Sequence, residues 1–96
     1  MIQLTMQNLV NCFTVAIDNN VNFLAIAVKI NGTPENEIII NPKANLLSKL
    51  DYYKNTYDEN LNHKFSPGIS IVGFTYADYF DQIEEDLTQG WKRFRN

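Results

Sequence analysis

Ninety-six residues, 45% apolar and 12% aromatic, suffice for one small domain spanning residues 1–96 with a hydrophobic core. A formal charge of −3 argues against broad nucleic-acid binding, which needs a positive surface to displace counterions. No run of about eighteen apolar residues is available to span a membrane. Met1-Ile2-Gln3-Leu4 lacks the basic and apolar regions of a signal peptide, and the lone Cys12 cannot form an internal disulfide, so a cytoplasmic location is expected.

Thr5 can cap a first helix, along which Leu9, Val10, Phe13, Ala16 and Ile17 recur at helical spacing. Asn19-Asn20 closes it, because asparagine tolerates the left-handed conformation found at many helix ends. Val21 to Ile30 reads as a strand. Its even positions Leu24, Ile26, Val28 and Ile30 are large and apolar, while its odd positions Phe23, Ala25, Ala27 and Lys29 are smaller or mixed. A strand apolar on both faces belongs in the middle of a sheet.

Asn31-Gly32-Thr33-Pro34 supplies a turn, and Glu37-Ile38-Ile39-Ile40 returns as a short second strand. Asn41-Pro42 then predicts a helix start, with asparagine as cap and proline in the first turn. The helix that follows aligns Leu46, Leu47, Leu50, Tyr53, Tyr57 and Leu61 on one stripe, with Tyr52 projecting away and His63 at its end. Pro67-Gly68 resets the chain, and Ile69 to Thr75 forms a third strand with Gly73 as a bulge position. A last helix carries Tyr79, Phe80, Ile83 and Leu87 inward, and Thr75-x-x-Asp78 resembles its capping box.

The order α-β-β-α-β-α fits a two-layer α+β fold with a three-stranded antiparallel sheet of order 2-1-3. The helices then pack mainly on the face made by Leu24, Ile26 and Val28. The other face, with Phe23, Ala25, Ala27 and Ile39, is too apolar to stay wholly open. A helix, a homodimer or a partner should cover it.

Chemistry is scarce. Cys12 sits among core positions and His63 stands at a helix end, where each has a structural role, and no third group joins them as a catalytic set. Gly68 and Gly73 are isolated, so no phosphate loop exists, and no zinc-ligand cluster is present. No cofactor, no metal and no enzymatic activity are expected.

Five of the eleven acidic residues, Asp78, Asp81, Glu84, Glu85 and Asp86, crowd into nine positions. Asp78, Asp81 and Glu85 would share one helical face, but a straight helix cannot wrap a hard cation, and EF-hand spacing is missing. Negative charge at Asp78 and Asp81 is favoured by a helix start, whereas Glu84, Glu85 and Asp86 lie beyond that effect. Tyr52, Asp81, Glu84, Glu85 and Asp86 are therefore the candidate contacts for a protein partner with a basic groove. Lys92, Arg93 and Arg95, interleaved with Trp91 and Phe94, are the candidate contacts of the alternative reading, a nucleic-acid-associated accessory protein.

Glu37 to Pro42, Lys49 to Lys54, Tyr57 to Leu61, Ile69 to Tyr76 and Glu84 to Leu87 together resemble small uncharacterised proteins carried by phages and prophages of Gram-positive bacteria. The resemblance implies a small acidic accessory protein inside a bacterial cell, and no assigned activity or site residue comes with it. The leading expectation is a non-enzymatic interaction or regulatory protein that docks a partner through its acidic C-terminal helix.

Overall fold

Thr5 stands at the head of the first helix, α1, Met6–Asp18, in the computed structural model, which describes residues 4–79. Its hydroxyl accepts the Asn8 backbone N–H at 3.3 Å, and the Asn8 side chain accepts the Thr5 N–H at 2.9 Å. This is a capping box with asparagine in the place usually taken by glutamate or glutamine. At the other end Asn20 takes φ 57°. The Asn20 N–H then reaches the Ile17 carbonyl and the Val21 N–H the Ala16 carbonyl, both at 3.1 Å. That pair of bonds is a Schellman closure, and Val21 is buried as such closures favour.

The central strand, β1, runs Phe23–Ile30 between β2, Glu37–Pro42, and β3, Ile69–Ala77, and both pairings are antiparallel in the order β2-β1-β3. Leu24, Ile26 and Val28 enter one cluster with Leu9, Phe13 and Ala16 of α1 and with Leu46 and Tyr53 of the second helix. The two helices therefore cover the face expected of them. Ala25 and Ala77 pack on the opposite face, flanked by Phe23, Ile38 and Ile40.

Four details differ from the sequence reading. Ile39 pairs with Ile26 and packs against the helix-side cluster, so Ile38 and Ile40 occupy the opposite face in its stead. A slip of one residue across the turn exchanges the two faces of a strand, and sequence alone does not set that phase. Asn41 and Pro42 finish β2 and start no α-helix: a 3-10 turn, Lys43–Asn45, intervenes before α2, Leu46–Thr56. Leu47 is 73% exposed and leaves the apolar stripe. Tyr57 and Leu61 are buried as foreseen, but from beyond the helix.

The chain after α2 explains that last point. Tyr57 turns extended, with φ −113° and ψ 149°, and pairs with His63 as an isolated bridge, so His63 is not a helix end. Asp58 accepts the N–H groups of Asn60 at 2.9 Å and Asn62 at 3.0 Å, a turn stabilised by its own side chain. Leu61, at φ 65°, swings back into the core with no exposed surface. Its carbonyl accepts the Ile71 N–H at 2.9 Å, and the His63 N–H donates to Ile69 at 2.8 Å, so this segment pairs with the outer edge of β3.

β3 carries the expected irregularity. Ala27 pairs with Gly73 but Val28 with Ile71, so Val72 is an extra, bulged residue beside the glycine. Of the last helix read from the sequence, Tyr79 alone among the inward positions is described: it follows β3 in a bend and is 73% exposed, so it does not face inward, while Phe80, Ile83 and Leu87 lie outside the described residues. Thr75 belongs to β3, opposite Ala25, so the capping box read from Thr75 and Asp78 does not form.

Gly68 closes the turn before β3 at φ 89°, and its carbonyl accepts the Asn31 N–H at 2.8 Å. A Cβ there would stand 3.0 Å from Asn31 Nδ2 and 3.1 Å from Asn31 Cβ, whereas at Gly32, with φ 90°, it would meet nothing within 4 Å. Gly32→Ala should cost about 1 kcal/mol for backbone strain alone, and Gly68→Ala about 1–3 kcal/mol because a clash is added. Urea unfolding of the two variants checks the order.

Candidate functional site

Tyr52 lies on the solvent side of α2, next to the buried Tyr53, and keeps 48% of its surface exposed. Its ring stands edge-on to Tyr53 at 5.2 Å, and the Lys49 ammonium sits 5.4 Å above its centroid, one helical turn away. The ring is held on two sides while its remaining surface faces water. Lys49 and Tyr52 are three positions apart on a helix, which is the spacing that brings side chains together.

Aromatic contact continues inward and out again. Tyr53 meets Phe13 at 5.9 Å and Tyr57 at 6.0 Å, Tyr57 meets His63 at 5.1 Å, and His63 meets Phe65 at 6.0 Å. A continuous series of rings therefore joins half-exposed Tyr52 to Phe65, which is 74% exposed. Burial raises the Tyr53 hydroxyl above the usual tyrosine range, with the Asn41 side chain pulling it down and Tyr52 pushing it up. Burial likewise pushes Tyr57 up to about 12, with smaller contributions from Tyr52 and Tyr53. These phenols stay neutral at physiological pH.

Phe65 and His63 were not singled out together by the sequence, although Asp58-x-Asn60-x-Asn62 is a turn pattern that announces a reversal before them. Asn41 was also missed as a core residue. It is 1% exposed, and its amide donates to the Leu24 carbonyl at 3.2 Å and to the Tyr53 hydroxyl at 3.5 Å. Its position beside proline reads as a cap, and only the register shows that it points into the helix layer.

Of the candidate contacts, Tyr52 is described, whereas Asp81, Glu84, Glu85, Asp86, Lys92, Arg93 and Arg95 lie outside the described residues. Asp78 has a structural task. Its carboxylate accepts the Asn22 N–H and its carbonyl accepts the Asn22 side-chain amide, each at 3.2 Å, which ties the end of β3 to the entry of β1.

Cys12 and His63, the sole cysteine and histidine, serve separate parts of the fold. Cys12 packs against the main core from α1, and burial pushes its thiol up to about 11. His63 lines a polar recess with Asn31, Asn62, Gly68 and Ser70, and Cys12 is not among its walls. Among the described residues no group of three or more His, Cys, Asp and Glu side chains could hold a metal ion. No helix among them is long and apolar enough to cross a membrane. Comparison with protein-family models, curated proteins and solved structures returns no match for this chain.

A thiol at about 11, against an ordinary 9.0, has roughly a hundredfold less thiolate at neutral pH. Iodoacetamide should therefore alkylate Cys12 about a hundredfold more slowly in the native protein than in urea at about pH 8. Comparable rates in the two states would show that the thiol is open and reactive.

Proposed function

We propose that this protein is a non-enzymatic interaction protein of phage or prophage origin. It docks a basic protein partner through the acidic segment centred on Glu84, Glu85 and Asp86, with Tyr52 as an aromatic contact. The observation that carries the reading is the clustering of five acidic residues within nine positions directly after β3, in a chain with only eleven. Complementary charge accelerates and selects such encounters.

The described residues support the reading in two ways. Tyr52 is pinned by Lys49 and Tyr53 while half of it faces solvent, and a ring already ordered loses little entropy on docking. Cys12 and His63, for their part, are taken up by packing and by a loop hydrogen bond.

Glu84→Lys, Glu85→Lys and Asp86→Lys together should abolish capture of a partner from a Gram-positive host lysate while leaving the unfolding midpoint unchanged. Tyr52→Ala should weaken that complex by about 1–2 kcal/mol. Capture that survives the triple reversal removes the proposal. The basic-aromatic run Lys92-Arg93-Phe94-Arg95 motivates the competing reading, nucleic-acid association. It requires salt-sensitive binding of single-stranded DNA or RNA that vanishes when residues 91–96 are deleted.

A further inference from the structure

Beyond the Asp58 turn, one hydrogen bond exists only in one protonation state of a side chain. His63 Nδ1 accepts the backbone N–H of Phe65 at 3.0 Å. A backbone amide can only donate, so Nδ1 carries no hydrogen and the imidazole is the neutral tautomer protonated at Nε2. An imidazolium has hydrogen on both ring nitrogens and offers no acceptor. The Phe65 N–H would then face another N–H across a hydrogen-bond distance.

We propose that residues 63–68 form a pH-operated latch, in which neutral His63 holds the Phe65 backbone and protonated His63 releases it. The root of the segment stays in place in either state. The His63 N–H donates to Ile69 at 2.8 Å and the Lys64 N–H to Thr56 at 2.9 Å, and neither bond involves the imidazole. Phe65, by contrast, has a side chain 74% exposed, so burial does little to hold it once its amide is free.

The surroundings offer the imidazolium ring contacts with Tyr57 at 5.1 Å and Phe65 at 6.0 Å, but no charged wall. Among the described residues, the recess that His63 lines is walled by Asn31 from the β1–β2 turn, by Ser70 from β3 and by Asn62 and Gly68 from its own loop, none of them charged. The titratable ring in contact is Tyr57 at the end of α2, which stays neutral through this range, its hydroxyl being pushed up to about 12. Lys64 is the chain neighbour and adds like charge. The Asp58 carboxylate is engaged by the amides of Asn60 and Asn62. Protonation therefore removes an acceptor without creating an ion pair in its place.

Nitrogen-15 spectra of the imidazole and hydrogen exchange at the Phe65 amide test this on the full chain. At about pH 7.5 the ring should show a bare Nδ1 and a protonated Nε2. The Phe65 protection factor should fall roughly fivefold, the worth of one net hydrogen bond, as acidification converts the ring to imidazolium in the same spectra. His63→Asn keeps a side-chain acceptor that does not titrate, and its Phe65 protection should stay level across the same range. His63→Phe keeps a ring beside Tyr57 without an acceptor and should leave Phe65 unprotected throughout. An Nδ1–H tautomer in the native protein overturns the proposal. So does wild-type protection that does not change with pH, or a pH dependence that persists in His63→Asn.

Discussion

Five consecutive residues of β1, Leu24 to Val28, are buried, and that burial on both sides of a single strand constrains everything around it. Such a strand must have a neighbour at each edge to satisfy its backbone groups, which places β2 and β3 on either side. Its two faces differ in bulk. The Leu24, Ile26 and Val28 side presents branched side chains that interdigitate with α1 and α2, whereas the Ala25 and Ala27 side is shallow. The first face seats the two amphipathic helices α1 and α2, while on the second Phe23, Ile38 and Ile40 flank Ala25 and Ala77.

A polar group sits at the centre of that layer. Asn41, opposite Leu24 in the ladder, donates to the Leu24 carbonyl and to the Tyr53 hydroxyl. Tyr53 in turn meets the Phe13 ring at 5.9 Å, tilted by 48°. Through these contacts β2, β1, α2 and α1 meet at one point, and the amide fixes how α2 lies against the sheet. An apolar residue of similar size could fill the space but would not distinguish one seating of Tyr53 from another, since the hydroxyl would lose its donor.

The parts of the fold legible in the sequence are those governed by local chemistry. Thr5, Asn19-Asn20, Asn31-Gly32 and Pro67-Gly68 each dictate a backbone conformation that their own side chains favour, and the elements begin and end there. The order of the sheet was legible because one strand is apolar on both faces. Facing was not legible wherever it depended on pairing. Ile39 and Asn41 point toward the helices only because the register joins them to Ile26 and Leu24. The periodicity through Tyr57 and Leu61 continues that of α2 although the helix has ended, because Tyr57 caps the helix and the Asp58 turn returns Leu61 to the same core. Of the candidate site, Tyr52 alone among the leading contacts falls within the described residues, and its exposure was legible from its place off the apolar stripe.

The segment between α2 and β3 shows how unevenly a short stretch of chain can be held. Leu61 adopts φ 65°, a conformation that costs a leucine free energy, so its neighbours must over-determine it. They do: Asp58 accepts two backbone amides through its carboxylate, the Leu61 N–H returns to the Asp58 carbonyl at 3.0 Å, and the side chain has no exposed surface. Removing any one of these bonds would leave the others to keep the turn. Between Lys64, whose N–H donates to Thr56, and Gly68, whose carbonyl accepts from Asn31, the hold is thinner. Phe65 is tied at its backbone by the imidazole, and its side chain, 74% exposed, meets that same ring at 6.0 Å. Local opening follows the weakest cooperative unit. The strained half of the segment is therefore the rigid half, and the unstrained half is where a change of charge can act.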